Sequence, residues 1–161
     1  GAGEFGHIRV VPDGLPCDCG NMGCLENYAS WPAIQSQVAK KVEEGRLSLL
    51  QNKMSIPDFL KALENKDEVA IEVAVEISDY LSRGLVTLIN LFNPQVVILG
   101  GDLFSNHSLF FERVTRLTRR SIMKVFADEI IFDSGSFGHE QHLVGAASIL
   151  LNDQFHFSLS A

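Results

Sequence analysis

The chain has 161 residues, a formal net charge of -7 and 46% hydrophobic residues. That is one domain or one lobe with enough apolar content for a core of its own. The acidic balance argues against a nucleic-acid surface, which needs a concentrated basic footprint, and no apolar run approaches the length of a membrane span.

In chain order, Phe5 to Val11 alternates imperfectly and is β-branched toward its end, so it reads as a strand, closed by the turn residues Pro12-Asp13-Gly14 and Pro16. A cysteine-bearing loop follows. Cys24 to Ser30 reads as a short helix with Glu26 in its first turn, and Trp31-Pro32 breaks it. Ala33 to Glu44 is a helix closed by Gly45. A further helix runs from Ser55-Ile56-Pro57-Asp58 to about Asn65, with Ser55 as its cap. The dominant helix is expected over Lys66 to Phe92. Val69, Val73, Ile77, Leu81, Leu85 and Ile89 recur every four residues, and Ala70, Ala74 and Leu88 widen the stripe. At 1.5 Å rise per residue its length is roughly 40 Å. Gly84 is a candidate bend, and Asn93-Pro94 stops the helix. Gln95 to Leu99 reads as a buried parallel strand, Gly100-Gly101 as a loop, and His107 to Phe126 as a helix. Glu129 to Asp133 is a second buried strand, His139 to Leu151 a last helix, and Asn152 to Ala161 a loosely held tail. Alternating helices and strands imply right-handed crossovers and an α/β sheet covered by helices.

The chain's three cysteines are packed as Cys17-x-Cys19-x4-Cys24, with His7 ten residues before the first. Three thiolates and an imidazole are the ligand set of a closed tetrahedral zinc site, and Gly20 and Gly23 allow the chain to fold back around an ion. The competing reading is three unrelated thiols, or a disulfide and a spare. Close spacing, the upstream histidine and the glycines favour His7, Cys17, Cys19 and Cys24 as ligands. With all four positions taken by protein, the metal would be structural. Reduced cysteines fit the cytoplasm better than a secreted scaffold.

The strings Gly3-Glu4-x-Gly6-His7 and Cys17-x-Cys19-Gly20-x-x-Gly23-Cys24-Leu25-Glu26-x-x-x-Ser30 resemble the signature of the ROK family, which groups sugar-responsive repressors with sugar kinases. Asn93 to Gly101 and Gly145-Ala146-Ala147 agree in order, so the resemblance covers nearly the whole chain. It matches the C-terminal part of a family member, and the N-terminal half is expected to lie outside this sequence. The resemblance implies the C-terminal lobe of an actin-like, ribonuclease-H-like ATPase fold, spanning residues 1–152 with an inserted zinc loop at 7–24. It also implies that Glu4, His7 and Glu26 touch a sugar. From the residues themselves, carboxylates and an imidazole on one rigid platform suit vicinal hydroxyls.

In ROK kinases the segment at Gly100-Gly101 lies beside adenosine and commonly carries a third glycine. Here Asp102 stands in that place, and its charge would disfavour a phosphate-bearing ligand. Neither the D-x-G-x-T phosphate loop and aspartate base of a kinase nor the winged helix-turn-helix of a repressor is recognisable. The expected function is the sugar-sensing, dimer-forming portion of a ROK repressor similar to the xylose and N-acetylglucosamine repressors, with no catalytic residue of its own. DNA would be met only through the absent N-terminal domain. The alternatives are half of a sugar kinase using ATP and Mg, and a zinc-stabilised interaction domain that has lost its ligand. His139-Glu140-Gln141-His142 has the wrong spacing for a metalloprotease. Arg113, Arg116, Arg119, Arg120 and Lys124 read as a solvated or carboxylate-paired helix face, and Phe110, Phe111 and Phe126 as core or subunit contacts.

Overall fold

Residues 3–51, 53–105, 108–135 and 147–150 are described in a computed structural model of the chain. Ahead of its first helix the backbone is held by turns. Phe5–His7 is a single 3-10 turn, closed by His7 N–H to Glu4 O at 3.0 Å and Ile8 N–H to Phe5 O at 3.2 Å. The strand expected over Phe5–Val11 is therefore absent. A strand needs a continuous ladder, and this segment forms a single isolated antiparallel bridge, Arg9 to Cys24. Local i to i+3 bonds hold the turn at Phe5–His7, and Ile8, Val10 and Val11 bond across to Leu25 and Gly23 on either side of that bridge.

The helix α1 (Glu26–Ala29) is a single turn. Ser30 ends it in an extended conformation and caps α2 (Trp31–Glu43), accepting from Ala33 N–H. Trp31-Pro32 thus forms the first turn of α2 instead of a break before it, because a proline there lacks only an N–H that the helix leaves free anyway. α3 (Ile56–Glu64) opens with the expected Ser55, in a capping box completed by Asp58. α4 (Glu68–Phe92) starts from Asp67, whose carboxylate accepts from Ala70 N–H, and ends at Asn93 in the left-handed conformation. Every residue of the expected stripe is buried, from Val69 to Ile89. Fully burying such a side chain contributes on the order of 1.5–3 kcal/mol. α4 packs against α1, α2 and α3.

The sheet follows. β1 (Val96–Gly100) leads into α5 (Asp102–Ser105) and α6 (Ser108–Ser121), which also packs on α4. α7 (Lys124–Ala127) is one turn, and β2 (Ile131–Gly135) runs parallel to β1 with Val96 opposite Ile131. The single helix expected over 107–126 is interrupted because Met123 is extended and its N–H donates to Asn90 Oδ1 at 3.1 Å, back on α4. β3 (Ala147–Leu150) pairs antiparallel with the other side of β1, so the order is β2-β1-β3. This corrects the helix expected to reach Leu151. The open edge of β1 supplies partners that a local hydrophobic pattern does not reveal. The rest of that expected helix and the tail 152–161 lie outside the described residues.

Candidate metal and ligand site

Two backbone arms meet at the site. One is the 3-10 turn with Glu4 and His7; the other is the cysteine loop running into α1. Val10 and Val11 donate to Gly23 O at 2.9 and 3.2 Å, and Leu25 N–H donates to Ile8 O at 2.9 Å. The loop closes on itself through Cys17 N–H to Asn21 O at 2.8 Å, Gly20 N–H to Cys17 O at 2.9 Å and Gly23 N–H to Leu15 O at 2.8 Å. Gly23 has φ +76°, and a Cβ there would run into the Val11 carbonyl oxygen, so the crossing of the two arms requires glycine.

This folding gathers His7, Cys17, Cys19 and Cys24, whose ligand atoms all lie within 4.8 Å of one another. Cys19 Sγ is 3.6 Å from Cys24 Sγ, and Cys17 Sγ is 3.6 Å from His7 Nδ1. A disulfide bond is about 2.05 Å long. The edges of a tetrahedron with zinc–sulfur bonds of about 2.3 Å are about 3.8 Å. The spacing therefore suits thiolates around a cation, and all three cysteines are free. Their acidities diverge. The Asn21 backbone N–H, outweighing burial, helps bring Cys19 down to about 7. Burial, then the neighbouring Cys19 and Cys17 sulfurs, push Cys24 up to about 12. Thiols this close ionise together only beside a positive charge.

The expected ligand residues lie on the rim. His7 Nδ1 is 3.6 Å from Glu26 Oε2, and His7 Nε2 is 4.0 Å from Glu4 Oε2, so the imidazole sits between the two carboxylates. The side chains are 32%, 55% and 74% exposed for His7, Glu26 and Glu4, which leaves the rim open to a polar ligand. A separate groove of about 410 Å³, between Leu49–Met54 and α3, touches none of these residues.

Sequence reasoning missed the supports behind the site. Asn27 Nδ2 donates to Pro16 O at 2.8 Å, and the Tyr28 hydroxyl accepts from Leu15 N–H at 2.7 Å. The Tyr28 ring packs on Tyr80 of α4, with centroids 4.7 Å apart. Arg83 lies over Tyr80 and donates to Val10 O at 3.3 Å. The available signal was the i, i+3, i+4 spacing of Tyr80, Arg83 and Gly84, which puts them on one helix face.

Gly100 ends β1, Gly101 has φ +106°, and exposed Asp102 begins α5, so the glycine pair stands after a strand and before a helix as expected. The basic face is partly used internally. Arg113 reaches Asp79 at 3.4 Å, and Arg119 donates to Ala127 O and Ile130 O at 2.7 and 2.8 Å. Phe110 is buried, and Phe111 and Phe126 pack against the core. His139, Glu140, Gln141, His142, Gly145 and Ala146 lie outside the described residues. No helix among the described residues is long and apolar enough to cross a membrane.

The chain thus combines an α/β fold with a His7, Cys17, Cys19 and Cys24 cluster whose atoms lie close enough to hold a metal ion. The ROK family model matches residues 1–153, and the chain belongs to the ROK family. Relatives fall in both of its branches. The transcriptional repressor Mlc of Escherichia coli K12 is 27% identical, over 91% of this chain and 36% of the repressor. The glucokinase of Streptomyces coelicolor is 34% identical, over 92% of this chain and 50% of the kinase. Among solved structures, a ROK transcriptional regulator homologous to E. coli Mlc superposes with a TM-score of 0.78 at 32% identity, over 88% of this chain and 36% of that one. A ROK glucokinase from Streptomyces griseus, in complex with glucose and AMPPNP, gives 0.67 at 33% identity, over 76% and 42%. The chain spans between about a third and a half of the length of these relatives.

Proposed function

We propose that this chain is the sugar-sensing portion of a ROK transcriptional repressor. A structural zinc ion held by His7, Cys17, Cys19 and Cys24 would fix the turn that presents Glu4, His7 and Glu26 to the sugar. The observation that carries the reading is the position of His7. One ring nitrogen lies 3.6 Å from a thiol of the cluster, and the ring stands between two exposed carboxylates. A zinc ion would lock the ring's orientation, and a locked imidazole with two carboxylates has the donors and acceptors for vicinal hydroxyls. Four protein ligands leave no open coordination position, so the metal would supply rigidity without activating water. Sugar would favour one lobe arrangement and alter the spacing of DNA-binding domains in a cytoplasmic homodimer, a population shift. Asp102 supports the repressor branch, because its charge follows the glycine pair where a phosphate-bearing ligand would approach.

The second reading is half of an ATP-dependent sugar kinase. It is favoured by the 34% identity to the S. coelicolor glucokinase, higher than the 27% to Mlc. Gly100 and Gly101 would then border the nucleotide. Calorimetric titration of zinc-loaded protein with glucose, N-acetylglucosamine and xylose tests sugar sensing. One of these should bind, and Glu26→Ala should weaken binding at least tenfold. No heat with any sugar would support an interaction domain without ligand. Phosphoryl transfer from ATP to the bound sugar by the full-length protein would replace the repressor reading with the kinase one.

A further inference from the structure

Gly84 lies in the buried face of α4, far along the sequence from the site. A Cβ at Gly84 would come within 2.9 Å of Leu25 Cδ2 and 3.0 Å of Phe5 Cζ. Those two residues belong to different arms. Phe5 lies in the turn that carries Glu4 and His7, and Leu25 stands between Cys24 and Glu26. Leu25 is 3% exposed, so it has little room to turn aside. Tyr80 and Arg83, on the same helix face, hold Tyr28 and the Val10 carbonyl.

We infer that Gly84 is a positioning residue for the sugar site: its missing side chain is the seat on which both arms settle, and so sets the separation of Glu4 and His7 from Glu26 and Cys24. This rests on the sugar-binding reading above. Adding a methyl group forces Leu25 and Phe5 outward by several tenths of an ångström, since ordinary carbon contacts lie at about 3.5–4.0 Å. Phe5 and Leu25 belong to different arms, so displacing them changes the placement of one arm against the other. Hydrogen bonds to a sugar, which depend on the relative placement of the arms, weaken before the fold is lost. Alanine also favours helix over glycine, which offsets the clash in overall stability, so ligand affinity is the sensitive readout.

The test is a cycle of wild type, Gly84→Ala, Phe5→Leu and the double variant, each zinc-loaded and titrated with the sugar that wild type binds. Gly84→Ala should bind roughly tenfold more weakly at nearly unchanged melting temperature. The double variant should lose less affinity than the sum of the two single losses, because the shorter side chain at position 5 removes one of the two clashes while Leu25 Cδ2 still meets the added Cβ. Equal affinity of Gly84→Ala and wild type, or additive losses in the double variant, would overturn the inference. Should Gly84→Ala fail to fold, Phe5→Leu alone tests the seat by loosening it: several-fold weaker binding is expected, and unchanged affinity refutes it. If wild type binds no sugar, the sugar reading fails separately, and the seat is judged by the cobalt(II) spectrum of the metal site. A thiolate band altered in Gly84→Ala and moved back toward wild type in the double variant upholds it; an identical spectrum in all four overturns it.

Discussion

Replacing Gly23 by alanine perturbs the crossing of the two arms, and Gly20 in the same loop provides its internal control. Both residues have left-handed φ, +76° and +89°, where an alanine costs about 1–2 kcal/mol. Around Gly20 nothing lies within 4 Å of an added Cβ, so Gly20→Ala should cost only that conformational term. At Gly23 the Cβ meets backbone, the Val11 carbonyl, which cannot rotate away as a side chain can. Relief requires the arms to separate, and the bonds from Val10 and Val11 N–H to Gly23 O lengthen or break. Val10 is 8% exposed, so its N–H would be left without water. Losing two such bonds adds about 2 kcal/mol, for a total of roughly 3–4 kcal/mol. The difference between the two variants should appear as about 4–8 °C in melting temperature, or as a matching gap in urea midpoints at constant slope. Both variants should be measured in excess zinc, with metal content assayed, so that loss of the ion is not mistaken for loss of the crossing. Equal destabilisation of the two would refute the steric argument and reduce Gly23 to a conformational requirement.

Cys19→Ser removes one of the four proposed ligands, so the variant should lose bound metal and melt like chelator-treated wild type; melting like untreated wild type would sink the structural-metal claim. Asp67 is buried, which acts to raise its pKa, but the N–H groups of Ala70 and Leu49 and the Ser48 hydroxyl hold it below the ordinary carboxylate range. A carboxyl with a lowered folded pKa stabilises the fold above its unfolded value and loses that contribution as pH falls through the folded one. Asp67→Asn should therefore be less stable by about 1–2 kcal/mol at neutral pH and show a shallower loss of stability from roughly pH 4 downward; parallel stability curves would contradict this. Arg119 ties α6 to Ala127 O and Ile130 O and lies over the Phe132 ring, so Arg119→Ala should cost about 1–2 kcal/mol in urea unfolding. Arg119→Lys should recover little of it, since an ammonium cannot reproduce the two-pronged contact.

The helices were legible because their signals are local. Ser55 and Asp58 announce a capping box, and the stripe from Val69 to Ile89 fixes which side of α4 is buried whatever it packs against. The gathering of His7 with the three cysteines was legible for a related reason: the four residues lie within eighteen positions, and glycines at 20 and 23 fit a loop that turns back on itself. The apparent strand at Phe5–Val11 and the apparent helix reaching Leu151 were misleading, because strand formation is decided by whether another backbone edge is available. Phe5–Val11 meets only the short stretch Gly23–Leu25 around one bridge, while residues 147–150 find the open side of β1.

Gly84 shows the same division at the level of a single residue. Within the sequence it reads as a weak point in a helix, and its use becomes visible only when Phe5 and Leu25, 79 and 59 positions away, are seen to converge on it. The sequence by itself determined the cysteine–histidine donor set, the α4 stripe and membership of a family-like motif, since these depend on residue type and short-range period. The tertiary structure decided which edge β1 shares, how the two carboxylates flank His7, and what holds the arms in register, because those depend on contacts between segments whose spacing along the chain carries no information about their approach in space.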